Sequence, residues 1–361
     1  MRVFNCEACG HLIYFDSLQC VHCGAAQAFL PDQLRVGILQ PSDATSYTPS
    51  SDLTARYRPC AHRHNISLCN FAIEPSDPHQ LCVSCRQTEW LPDSSNPANE
   101  LRWAKIEVAK RRLFYTLAKL GLLDPHGHRV PEPRFSLLAD IPGSTPVMTG
   151  HASGMITLNV VEADDDERAR RRLALREPLR TLIGHLRHES GHFYWDQLIA
   201  QSVWLEPFRA LFGYENLDYA QALQQHYNKD PLDTRWSQSA ISAYATSHPW
   251  EDWAETWAHY LHMVDLMETA ASYSTSITVP DIPSSGPQMI CNPLGNVPLN
   301  FSVMQAQWVP LTLLHNSLNR SLGLEDAYPF SISAMAWDKL RFVHDLISDY
   351  RQKSGFAVPA L

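Results

Sequence analysis

No apolar run in the 361 residues approaches the roughly 18 that a membrane-spanning helix needs. The opening MRVFNCEACGHLIYF places charges and cysteines where a secretory leader needs an uninterrupted apolar segment, so the expected location is cytoplasmic, with no membrane partner. Lysine is absent from the first hundred residues, which hold six arginines against ten acidic residues, and the whole chain carries a net charge of −9. No basic stripe is present to attract phosphates, so nucleic acid is not the expected partner. Cysteine is nearly missing beyond the first quarter, where Cys291 stands alone and is expected to be a small buried hydrophobe. The other eight lie between Cys6 and Cys85, several in CxxC pairs. Without an export signal they read as metal ligands rather than disulfides.

What is present divides into two expected domains. Residues 1–97 have many Pro, Ser and Asp and no long helical pattern, so metal is expected to replace a core there. A polar stretch at 41–52 splits this module, and LPDSSNPANE (91–100) leads out of it. Residues 98–361 form the second expected domain. An amphipathic helix over 99–122 opens it, with Trp103, Ile106, Leu113, Leu117 and Leu120 at helical spacing. Short β-favouring runs follow in PRFSLLADIP and TGHASGMITLNVVEA, then an Arg-rich stretch at 168–180. Further helices are expected near 250–267, 309–321 and 334–351, with a Pro- and Ser-rich connection at 272–298. The fold class is α+β, mostly helical with a small sheet.

Cys6, Cys9, Cys20 and Cys23 form C-x2-C-x10-C-x2-C, the ribbon spacing of a structural four-cysteine zinc site. Gly10 and Gly24 follow the pairs, where a turn lets backbone N–H groups face the thiolates. Cys60, Cys69, Cys82 and Cys85 make a second expected site, C-x8-C-x12-C-x2-C, in which His62 or His64 could replace a cysteine.

In RHESGHFYWD (187–196), His188 and His192 are four apart and share one face of a helix, where two imidazoles can bind one ion. Glu189, one residue round, can take a proton from a water whose acidity the metal has raised. The stripe Leu179, Leu182, Ile183 and Leu186, with Pro178 near the first turn, places the motif on a helix. Gly191 costs that helix roughly 1 kcal/mol relative to alanine, as expected where a neighbour approaches the backbone closely. A catalytic zinc needs a third protein ligand. The contiguous HExxHxxGxxH pattern fails, because Trp195 and Leu198 stand at its last two positions. SAYATSHPWEDWAETWAHYLH (242–262) is the best source: Glu251 and Glu255 share a face, one free to ligate and the other to hold a ligand imidazole, with His248 and His259 as alternatives. Trp250, Trp253 and Trp257 read first as core packing.

HESGH and EDWAE, with 58 residues between them and Tyr244 seven positions ahead of the first glutamate, resemble the glutamate-zincin (gluzincin) class, particularly its lethal-factor-like branch. The resemblance implies Glu251 as the third zinc ligand, Glu255 as partner of a ligand histidine and Tyr244 as oxyanion donor. The whole chain also resembles a bacterial family of zinc-binding metallopeptidases with an N-terminal zinc ribbon. That resemblance is carried by CEAC, CVHCG, YRPCAHRHNISLCNF, LCVSCR, TGHASGMITLN, HLRHESGHFYWDQLI and HPWEDWAETWAHYLHM. It implies a zincin-like catalytic domain with one catalytic zinc and one or two structural zincs, acting on a peptide or protein. Glu189 would be the general base, and residues 150–160 a candidate edge strand for an extended peptide. The rival function is a non-catalytic zincin-like body whose ribbons dock a macromolecule.

Overall fold

The computed structural model describes residues 1–41, 46–49, 54–64, 69–127, 131–175, 181–230, 233–279, 286–295 and 297–354. Pro178, Leu179 and parts of the stretches at 41–52, 168–180 and 272–298 lie outside them, as does the side chain of His64. The described chain packs as two compact units, one over Met1–Glu167 and the other from Arg168 onward. Among the described residues no helix is long and apolar enough to cross a membrane.

In the first unit, strands β1 (Gln27–Leu30), β2 (Arg35–Pro41) and β3 (Tyr47–Pro49) form an antiparallel sheet in that order. A second sheet has the order β6-β7-β5-β4, from β4 (Thr88–Trp90), β5 (Arg134–Leu138), β6 (Gly150–Ala152) and β7 (Met155–Asn159). β4 and β7 run parallel to β5, and β6 is antiparallel to β7. Ser153 and Gly154, both at positive φ, close the two-residue β6–β7 hairpin as the strand twist requires. Of the expected edge strand 150–160, only Gly150–Ala152 lies at the edge. Met155–Asn159 pairs on both sides and has no free ladder to offer.

Helix α1 (Pro97–Lys119) begins where Asn96 caps the Ala98 N–H and proline takes the first turn. Its apolar positions Ile106, Leu113 and Leu117 are buried, but so are Glu107, Lys110, Arg111 and Lys119. The amphipathic expectation therefore fails from Ile106 onward. Lys110 is neutralised inside by Glu107 at 3.0 Å rather than solvated, as burial of a charge demands. The cysteine-rich segment also has an apolar core, contrary to expectation, because α1 supplies part of it. Phe71 meets Phe114 at 5.5 Å between centroids, and Phe15 meets Tyr115 at 5.4 Å. β4, from the same segment, joins the sheet of β5–β7. Packing thus runs across position 97 and divides at 167.

Helix α2 (Asp165–Leu175) reaches the second unit, which holds α3 (Leu182–Leu198), α4 (Leu205–Phe212), α5 (Tyr219–Tyr227), α6 (Pro249–Ser272), α7 (Phe301–Ser321) and α8 (Ala334–Ser354). α6 is central: Trp253, Trp257, Leu261, Val264 and Met267 are buried along it. A buried Lys339–Asp252 pair at 2.5 Å ties α8 to its first turn. Cys291 is half-buried, with its N–H donated to Gln307, rather than wholly enclosed.

Candidate metal centre

Each of the two cysteine sets comes together with its four sulfurs within 4.8 Å of one another. In the first, Gly10 and Gly24 take positive φ, as the turns require. Their N–H groups close the turns on the Cys6 and Cys20 carbonyls, at 2.8 and 2.9 Å, and the His11 and Cys23 backbones face the Cys9 and Cys20 sulfurs, as expected of such turns. A hydrogen bond from the Cys23 backbone is the first of several that hold Cys20 down to about 6. Cys9 is pushed up to about 12 despite a bond from the His11 backbone, because desolvation and its three sibling thiols oppose its charge. Thiols this close cannot all ionise without a cation among them. In the second set all four cysteines are buried, and the Cys82 and Cys85 N–H groups point at the Cys60 and Cys82 sulfurs, each at 3.4 Å. His62 is outside this set: its ring stands edge-on to Trp103 at 5.1 Å.

The HESGH motif folds as the middle of α3, which starts where the Thr181 hydroxyl accepts from the Gly184 N–H. His188 and His192 lie one turn apart, their rings edge-on with centroids 5.1 Å apart. Gly191 faces α6 closely: a Cβ there would sit 3.0 Å from the Ala254 Cα, so the backbone of α6 would have to give way. The Trp253 indole donates to the Gly191 carbonyl at 2.7 Å, and Trp257 to the Ser190 hydroxyl at 3.1 Å. These contacts fix the register of the two helices. That register brings Glu251, in the first turn of α6, against both histidines: 3.0 Å from Oε2 to His188 Nε2 and 3.6 Å from Oε1 to His192 Nε2. The helix N-terminus favours the carboxylate form there.

Glu255, one turn on, accepts from His188 Nδ1 at 2.7 Å. Burial opposes charge on His188, but its hydrogen bonds to Glu251 and Glu255 hold it well above the usual imidazole range. Burial would likewise raise Glu251, but His192 and His188 hold it well below the usual carboxylate range. The imidazoles and carboxylates thus favour one another's charged forms. Two imidazole nitrogens and a carboxylate oxygen within 4.8 Å of one another are also a donor set that suits zinc. Glu189 is buried, and its Oε2 has no hydrogen-bond partner among the described residues. His248 caps α6, with Nδ1 accepting from the Trp250 N–H and Nε2 donating to the Leu217 carbonyl, so neither nitrogen is available to an ion. His259 is buried against the Tyr328 hydroxyl at 2.8 Å.

Residues 99–346 match a family described as "Putative zinc-binding metallo-peptidase", and residues 3–96 match a zinc-ribbon domain. The chain belongs to this metallo-peptidase family. Similar proteins include an uncharacterized protein of Mycobacterium bovis and two of Mycobacterium tuberculosis strains. Each is 36% identical over 354 residues, covering 97% of this chain and 96% of the relative. No solved structure matches.

In this member of the zinc-binding metallo-peptidases the structure surrounds the centre with further side chains, of which Ser242 and Tyr219 were not announced by the sequence. The Ser242 hydroxyl donates to Glu255 Oε2 at 2.6 Å, so His188, Glu255 and Ser242 form a chain. The Tyr219 hydroxyl donates to Glu251 Oε1 at 2.9 Å. Tyr244 sits on a short helical turn with its ring 6.0 Å from that of His188. Burial, the Glu251 charge and a hydrogen bond to Tyr219 keep its phenol protonated far above the usual range. Trp253 and Trp257 are core residues as expected, whereas Trp250 is partly exposed, its ring 6.2 Å from His192. Ser242 carries no sequence signal, being one serine among many in a polar segment. Tyr219 lies 32 positions from its partner, beyond any helical spacing rule.

Proposed function

We propose that the chain is a zinc-dependent peptidase of the gluzincin type, in which His188, His192 and Glu251 hold the catalytic ion and two four-cysteine sites hold structural zinc. One observation carries this reading: three ligand atoms converge beside a buried glutamate whose Oε2 has no protein partner among the described residues. When held there, zinc supplies a Lewis acid that acidifies water and polarises a carbonyl. Glu189 takes the proton of the attacking water and passes it to the leaving amine. Tyr244, protonated at neutral pH, donates to the carbonyl oxygen as negative charge develops on it. Glu255 and Ser242 keep the His188 ring in its tautomer and orientation.

The substrate is a peptide or protein. A peptide-library cleavage assay with the full chain tests this. Cleavage abolished by a chelator and restored by zinc is the expected result, and no cleavage by zinc-loaded protein would leave a binding role for the centre.

A further inference from the structure

Apart from the hydrogen bond between Tyr219 and Tyr244, Tyr219 and the helix that carries it have no part in that mechanism. α5 has no buried residue, so apolar packing is not what holds it. Polar ties hold both its ends. Before it, the Leu217 carbonyl accepts from His248, the residue that caps the helix bearing Glu251. After it, Lys229 donates to the Thr246 carbonyl and hydroxyl, both at 3.3 Å, on the turn bearing Tyr244. Asp218 caps α5 by accepting from the Gln221 N–H, which fixes the direction in which its first residue leaves the helix. That first residue is Tyr219. Its ring rests edge-on against His248 at 5.2 Å, and its hydroxyl reaches past the surface to the buried Glu251 carboxylate.

A phenol that is 40% exposed at the residue level can satisfy its hydroxyl with water, yet this one points at a carboxylate that is 2% exposed. A carboxylate has two oxygens that can each accept, and on a metal it can bind through one or both. Oε1 accepts from Tyr219 and faces His192 Nε2 at 3.6 Å, while Oε2 lies 3.0 Å from His188 Nε2, so the two oxygens have different partners. We propose that Tyr219 is a positioning residue for the metal centre: by holding Oε1 of Glu251 it fixes the orientation in which the carboxylate would meet an ion beside His188 and His192. This rests on the assignment of His188, His192 and Glu251 as the zinc ligands.

The test uses the full chain with both cysteine sites loaded and zinc alone as the probe, titrated against a chromogenic chelator. Tyr219→Phe removes only the hydroxyl and is expected to weaken zinc binding at the third site by about 10–100-fold, as loss of a ligand's hydrogen-bond partner does elsewhere. Cobalt substitution supplies the second readout. The visible d–d bands of the centre are expected to shift in Tyr219→Phe, which a general loss of stability would not produce. Affinity within twofold of the original chain together with an unchanged cobalt spectrum would overturn the proposal, as would a loss of turnover with zinc affinity intact, which marks an oxyanion donor. If the unaltered chain binds two zinc ions rather than three, the ligand assignment itself fails, and that outcome is separable from a failure of Tyr219.

Discussion

His188 is gripped at both ring nitrogens, by Glu251 on one side and Glu255 on the other, and Ser242 steadies Glu255 in turn. Removing the support should therefore loosen the centre without touching a ligand. Glu255→Gln is expected to lower zinc affinity at the third site by about 10–100-fold, and Ser242→Ala by less, because a water can replace a hydroxyl. Chelator competition reads both. At this scale the sequence was legible where chemistry and helical spacing coincide: His188, Glu189 and His192 stand in one motif. Spacing names Glu251 and Glu255 as a pair but does not tell them apart, because it gives a shared face and not an orientation; the gluzincin resemblance supplied the assignment. Ser242 and Tyr219 were invisible, since a hydroxyl that supports a carboxylate leaves no pattern.

The decisive elements are α3 and α6, and their contact depends on Gly191. Adding a methyl group there meets the Ala254 backbone at 3.0 Å, and backbone yields less readily than a flexible side chain. Gly191→Ala gains about 1 kcal/mol of helix propensity but suffers overpacking of about 1–3 kcal/mol, so the clash should outweigh the gain. Thermal unfolding is expected to begin lower, and third-site zinc affinity to fall with it as Glu251 is pushed away. An unchanged melting temperature would show that the helices absorb the methyl freely. Helix positions were legible from periodicity: α6, α7 and α8 overlap the expected segments, and β5, β6 and β7 fall in the two β-favouring runs. The fate of α1 was not. Its Lys110 and Arg111 look solvent-facing by composition, and only packing on both sides decides that they are buried.

Across the whole molecule, the zinc-ribbon match ends at residue 96 while the first compact unit continues to Glu167. A fragment of residues 98–361 would lose β4 from its sheet and expose Phe114 and Tyr115, so it is expected to be less stable and rapidly cut by proteases within 98–167. Limited proteolysis checks this, and native-like resistance would contradict it. In the second unit, burial holds His259 down to about 4, with the Glu255 charge opposing. The unfolded imidazole takes its proton first, near 6.5, so this stability is present above that pH and is lost as pH falls towards 4. The loss amounts to about 3 kcal/mol at most. His259→Gln should flatten that limb of the denaturation profile, and an unaltered slope would place the titration elsewhere. In the proposed mechanism Glu189 acts on water beside a zinc held by its neighbours. The most direct measurement pairs metal content with peptide-library cleavage for Glu189→Gln. Retention of three zinc ions per chain with hydrolysis reduced by about 10²–10⁴-fold is the predicted result, and undiminished cleavage would contradict it.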